Sequence, residues 1–190
     1  MNYHNISYPD MLNGDGLRVV LWLSGCNHHC KGCQNQQTWD INSGIPFDKE
    51  AKEELFRELS KDYISGITFT GGDPLHENNL EEVAKLIYEI RKTLPNKTIW
   101  IYTGYQIEDL GFFKEMNKYL NGECSFESAL NKEQDNLIRL IMLSECDVVV
   151  DGKYIEELRD ISLHWRGSSN QRVIAVKQSL EKGDIVLWSS

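Results

Sequence analysis

The chain has 190 residues, 41% of them hydrophobic and 10% aromatic, which is enough for one packed core and short for two. Its formal charge of -9 argues against a protein that binds by laying a basic stripe along phosphates, so no nucleic-acid partner is expected. No stretch reaches the roughly 20 apolar residues that span a bilayer, and residues 1–10 carry neither a basic start nor an apolar signal core. A cytoplasmic protein without a membrane partner is the resulting expectation.

Short β-branched runs bounded by Gly, Asp or Ser predict strands at 17–23, 67–69, 99–102, 148–150, 173–176 and 185–187. Between them, helical patterning predicts a helix at 48–61. A second helix carries Val83, Leu86, Ile87, Ile90 and Leu94 on one face. Asn79 is its expected N-cap, with Glu82 closing a capping-box-like start and Pro95 ending the pattern. Further helices are predicted at 107–119 and 133–143. The polar stretch 121–135, with Gly122 and no clear period, reads as an insertion within a single domain spanning 1–190. Alternating strands and helices make the class α/β, with βα units around a mostly parallel, curved sheet. A complete eight-fold barrel takes about 250 residues, so this chain supplies at most a partial (βα) barrel. Reactive groups then belong at the C-terminal ends of the strands.

Three of the five cysteines, Cys26, Cys30 and Cys33, fall within eight residues just after the first predicted strand. That is no secreted disulfide framework; clustered thiols in a reducing compartment indicate metal. Cys-x3-Cys-x2-Cys on an irregular loop directs three thiolates at one polynuclear centre. A 4Fe-4S cluster held by three cysteines leaves one iron open to a small ligand, which separates a catalyst from a closed electron carrier. The competing reading is a zinc site with His28 or His29 as fourth ligand. Unligated, such thiols would oxidise. Cys124 and Cys146 stand apart and read as small buried hydrophobes.

Gly71-Gly72-Asp73-Pro74 follows the second predicted strand, where paired glycines allow close backbone approach to a ligand and Asp73 adds an acceptor. The same residues also make an ordinary turn into a helix. Tyr102-Thr103-Gly104-Tyr105 either lines the same pocket or turns the chain. Asp15-Gly16 reads as a turn, and Asp151-Gly152-Lys153-Tyr154 and 165–172 as polar loops that fix strand ends or contact a cofactor or partner.

The cysteine loop resembles that of the radical S-adenosylmethionine superfamily, whose signature is this spacing after the first strand of a partial (βα)6 barrel. The resemblance implies that Cys26, Cys30 and Cys33 bind a 4Fe-4S cluster and that S-adenosylmethionine chelates the fourth iron. One-electron cleavage then yields methionine and a 5′-deoxyadenosyl radical. Gly32, Cys33, Gln34, Gly71, Gly72 and Asp73 are the implied cofactor-binding residues. Two departures are Gly32, where many members carry an aromatic near the adenine, and Asp73, where the family motif has Glu.

Within the superfamily, residues 1–4, Ser43-Gly44 with Pro46-Phe47, Gly71 to His76, the Thr-Gly-Tyr turn, Asp151-Gly152-Lys153 and Arg166 to Gln171 resemble the anaerobic ribonucleoside-triphosphate reductase activating proteins. That resemblance implies a radical oxidoreductase whose substrate is a protein. It would take an electron from a flavodoxin-like donor and abstract hydrogen from a glycine Cα of the large reductase subunit. The rival readings are an activase of another glycyl radical enzyme such as pyruvate formate-lyase, a non-catalytic iron–sulfur electron carrier, and a zinc-stabilised binding module.

Overall fold

The computed structural model describes residues 1–113 and 135–189. Among them one sheet is built from β1 (Asn2–Asp10), β2 (Arg18–Leu23), β3 (Ile45–Pro46), β4 (Gly66–Gly71), β5 (Thr98–Tyr102), β6 (Val148–Asp151) and β7 (Arg172–Ala175). Their order is β3-β1-β2-β4-β5-β6-β7. The centre, β2 to β4 to β5 to β6, is parallel, while β1 and β7 pair antiparallel with β2 and β6. The helices are α1 (Lys49–Leu59), α2 (Glu77–Thr93), α3 (Asp135–Ser144) and α4 (Val176–Lys182). The molecule is thus α/β with a parallel centre, as the alternating pattern predicts. No helix among the described residues is long and apolar enough to cross a membrane.

The central strands are buried on both faces, which is why they read as continuous apolar runs. On one face Val19, Leu21, Leu23, Ile67, Phe69, Ile99, Ile101 and Val149 join the buried sides of α1, α2 and α3 in the main core. Each such fully buried side chain contributes about 1.5–3 kcal/mol. On the other face Trp100, Val148 and Val150 pack with Tyr102, Trp165, Val173 and Trp188. Arg18 closes the N-terminal edge of this face. It is fully buried, lies over the Trp100 ring, and donates to Thr68 Oγ1 and Thr98 Oγ1 and to the carbonyls of Asp15, Ile67 and Thr98. Burial lowers its pKa to about 10.

In α1 the Asp48 carboxylate caps by accepting the Ala51 N–H at 2.9 Å, and Ala51, Leu55 and Leu59 bury one stripe. The cap of α2 differs from expectation. The helix begins at Glu77 with His76 as N-cap, its ring accepting the Asn78 N–H. Asn79 lies inside the first turn because its fully buried amide is used elsewhere, donating to the carbonyls of Ser24 at 2.8 Å and Asp73 at 3.1 Å. Glu82 therefore closes no capping box. Of the helix predicted at 107–119, residues 107–111 form turns, only Phe112 and Phe113 are helical, and 114–119 lie outside the described residues. So do 121–134, including Cys124, so the expected insertion is not described; Asp135 opens α3. Residues 185–187 make a single bridge, Ile174 to Leu187, in place of a strand. Val176 starts α4 and does not continue β7.

Candidate functional site

Strand register sets the site. Leu23 of β2 pairs with Gly71 of β4, Phe69 with Ile101 of β5, and Tyr102 with Val150 of β6. The C-terminal ends of the four parallel strands are thereby level, and the turn after each lies beside the next. This is the edge at which parallel sheets assemble ligand sites. The cysteine loop, the Gly-Gly-Asp-Pro turn, the Thr-Gly-Tyr turn and the Asp-Gly-Lys loop all meet there.

The cysteine loop leaves β2 through Gly25, whose φ of 94° suits glycine, and returns on itself: Gly25 N–H donates to Thr38 O at 2.7 Å and Cys26 N–H to Trp39 O at 3.0 Å. Cys33 N–H closes a turn onto Cys30 O at 3.1 Å, and Asn35 N–H reaches Cys33 Sγ at 3.3 Å. All three loop cysteines are free and partly exposed, whereas Cys146 is buried with its thiol donating to Met142 O. Burial pushes the Cys26 thiol up to about 11, partly offset by hydrogen bonding from the His28 and His29 backbone. Burial also raises Cys30, against the opposing effect of the Tyr154 N–H and the Lys153 charge. The loop after β6 therefore approaches the thiols. The Glu156 carboxylate lies against Gly32, 2.0 Å from where a Cβ would be, and the φ of 74° at Gly32 suits glycine.

The Gly-Gly-Asp-Pro turn packs backbone to backbone on the start of the cysteine loop. Gly72 N–H donates to Leu23 O at 2.7 Å and Asp73 N–H to Gly25 O at 2.8 Å. A Cβ on Gly72 would lie 2.6 Å from Gly25 O, so only glycine permits this approach. The Asp73 carboxylate, expected to offer a free acceptor, is 3% exposed and already engaged. It accepts from His28 Nε2 at 2.6 Å, the Leu75 N–H at 2.8 Å, the Thr103 hydroxyl at 3.0 Å and the Gly104 N–H at 3.0 Å. The Leu75 bond is a local turn bond, whereas the bonds from His28, Thr103 and Gly104, and that of Asn79 to Ser24 beside them, join segments far apart in the chain and carry no sequence motif, although the Thr-Gly-Tyr turn is itself a candidate pocket wall.

The two polar loops expected near strand ends are placed there. Asp151, fully buried, accepts from Arg172, which also clamps Glu108 with both terminal nitrogens at 2.6 Å. Hydrogen bonding to these carboxylates raises the Arg172 pKa further. Gln171 accepts from the Gly167 and Ser168 N–H groups and donates to Gly152 O, and Asn170 donates to Lys153 O. The 166–171 run thus binds the Gly152-Lys153 turn against the site.

A cleft of about 460 Å³ opens on the face of the sheet away from the helices, bounded by Trp22, Thr70, Tyr102, Tyr154 and Arg166 and reached by Cys33 and Gln34. That volume suits a small-molecule ligand. Gly71, Gly72 and Asp73 adjoin the cysteine loop but do not line this cleft.

The donor set fits an iron–sulfur cluster better than zinc. Zinc needs four donors about one point, so a Cys3His site here would need a loop histidine as its fourth ligand. Both loop histidines have partners, His28 in a bond with Asp73 and His29 with its ring tilted 35° to that of Trp39 at a centroid distance of 4.7 Å. What remains is three free soft thiols on one loop, the donor type that clusters take.

Comparison with known proteins supports an iron–sulfur cluster domain. Residues 12–174 match the family described as a 4Fe-4S single cluster domain. The chain is 40% identical over 175 residues to the anaerobic ribonucleoside-triphosphate reductase-activating protein of Escherichia coli strain K12, covering 91% of this chain and 97% of that one. It is 39% identical over 184 residues to the protein of that name from Enterobacteria phage T4, covering 97% and 100%. The Vibrio cholerae protein of the same name is 37% identical over 173 residues, covering 90% and 96%. With this similarity running nearly end to end, the chain belongs to the anaerobic ribonucleoside-triphosphate reductase-activating protein family.

Proposed function

We propose that this chain, acting as one domain over 1–190, is a radical S-adenosylmethionine oxidoreductase that activates the anaerobic ribonucleotide reductase. The observation that carries the reading is a loop of three free cysteines packed on a Gly-Gly-Asp turn at the C-terminal edge of the parallel strands, with Cys33 reaching a ligand-sized cleft, in a chain of this family. Cys26, Cys30 and Cys33 would hold a 4Fe-4S cluster with one iron free of protein thiolate. Gly32, Cys33 and Gln34 together with Gly71, Gly72 and Asp73 would bound S-adenosylmethionine. When bound, cluster and cofactor together supply the radical that takes hydrogen from a glycine Cα of the large reductase subunit. The protein's own part is to orient and enclose them. The turns fix the loop, and the Trp22, Tyr102 and Tyr154 rings give the cleft apolar walls. By the same resemblance the electron comes from a flavodoxin-like donor, and the site of action is the reducing cytoplasm, where clustered thiols stay reduced.

The test is anaerobic reconstitution followed by electron paramagnetic resonance of the reduced protein with and without S-adenosylmethionine, and then with the reductase. The expected result is a four-iron signal that changes on addition and a glycyl radical on the partner. Cys26→Ala, Cys30→Ala and Cys33→Ala should each abolish cleavage. A signal blind to S-adenosylmethionine would leave an electron carrier, a colourless zinc protein a binding module, and turnover retained in a cysteine variant would remove the assigned ligands.

A further inference from the structure

The Asp73 carboxylate joins three turns that are far apart in sequence. A carboxylate offers about four acceptor sites. Here His28 on the cysteine loop, Leu75 on its own turn, and Thr103 and Gly104 on the turn after β5 occupy them, with the Thr103 hydroxyl within 3.0 Å of both oxygens. Since the carboxylate only accepts, His28 Nε2 carries the proton and donates. The bond is short, 2.6 Å, and is shielded by side chains that are 11% and 2% exposed.

The turn after β5 is shaped to receive this ring. A Cβ at Gly104 would stand 2.3 Å from His28 Cδ2 and 2.6 Å from Cγ. Gly104 is not among the glycines with positive φ, so the position needs glycine for space and not for conformation. The Tyr105 ring meets the imidazole edge-on with centroids 4.8 Å apart, and Arg139 lies over the Tyr105 ring while donating to Leu75 O. His28 is therefore held by an acid, a glycine notch and an aromatic ring, although it sits between two of the three thiols.

We infer that His28 is a positioning residue for S-adenosylmethionine binding. Its bond to Asp73 holds the cysteine loop in fixed register with the Gly-Gly-Asp and Thr-Gly-Tyr turns, so Asp73 acts by fixing loops and not as a free acceptor. This rests on the proposed reading that the cysteine loop and the Gly-Gly-Asp turn together bound S-adenosylmethionine. The three thiols suffice for the cluster without His28, so losing the bond should spare iron and weaken cofactor binding.

The experiment compares the parent with His28→Ala and His28→Gln, each reconstituted anaerobically. Iron content, the reduced-cluster resonance, and the S-adenosylmethionine concentration giving half of its spectral change are measured. Hydrogen exchange of segment 102–106 is followed in the cluster-free proteins. His28→Ala should keep its iron and resonance, need about tenfold or more S-adenosylmethionine, as fits loss of one charge-assisted bond, and exchange faster at 102–106. His28→Gln, whose amide N–H falls near the place of Nε2, should recover most of both effects. An unchanged half-saturation in His28→Ala, loss of its iron, or equal behaviour of the two variants would overturn the inference. If the parent itself ignores S-adenosylmethionine, the functional reading fails separately. Exchange at 102–106 unaffected by His28→Ala would still overturn the coupling.

Discussion

Replacing Asp73 with Asn changes one atom and removes the charge at the junction of three turns. The amide offers one oxygen and one NH2. With the NH2 in the place of Oδ2 it faces the Gly104 N–H, and in the place of Oδ1 it faces the Leu75 N–H. The Thr103 hydroxyl can rotate and the imidazole can change tautomer, but neither backbone donor can turn away. Either orientation therefore leaves one buried N–H against another donor, at about 1–3 kcal/mol, and the surviving bonds lose their charge assistance. A loss of about 2–4 kcal/mol is expected, which for a chain of this length lowers Tm by roughly 5–12 °C. Thermal and urea unfolding of the reduced, cluster-free protein, followed by circular dichroism under argon, measures it. A loss below about 0.5 kcal/mol, the size of a neutral surface change, would show that the carboxylate does not carry the network described.

Two further outcomes follow from the same geometry. Gly72→Ala places a methyl 2.6 Å from Gly25 O and 2.9 Å from Ser24 C, both backbone atoms, so the Gly-Gly turn must separate from the cysteine loop. A loss of about 1–3 kcal/mol is expected by urea unfolding, together with faster exchange at residues 24–34; parental stability would refute the close packing. Because the thiolate is the nucleophile and burial raises the Cys26 pKa to about 11, its alkylation in the cluster-free protein should keep accelerating as pH rises from 8 towards that value. The increase should be about tenfold per pH unit, read by site-resolved mass spectrometry. A plateau near the ordinary thiol value of about 8.5 would contradict the burial of that side chain.

The amino-acid sequence determined by itself the parts whose signal is local. Cys26, Cys30 and Cys33 are close in the chain, so their spacing alone marks a candidate metal-binding loop. Strands β2, β4, β5 and β6 are buried on both faces and read as apolar runs, and α2 shows its buried stripe at Val83, Leu86, Ile87 and Ile90. Strand β1 escaped that reading because it is a polar strand beside the sheet edge, with only Tyr3 and Ile6 buried and Pro9 near its end. His76 escaped as a cap because histidine is not among the preferred N-cap residues. Tertiary structure alone decided what Asn79 and Asp73 do. Asn79 stands where a cap is expected, and Asp73 where a ligand acceptor is expected. Both are drawn inward because the register of Leu23 with Gly71, and of β4 with β5, brings three turns level and supplies partners from residues 24, 28, 103 and 104. A hydrogen bond between residues 45 positions apart has no period or spacing to announce it; it exists only once the strands between them have set the distance.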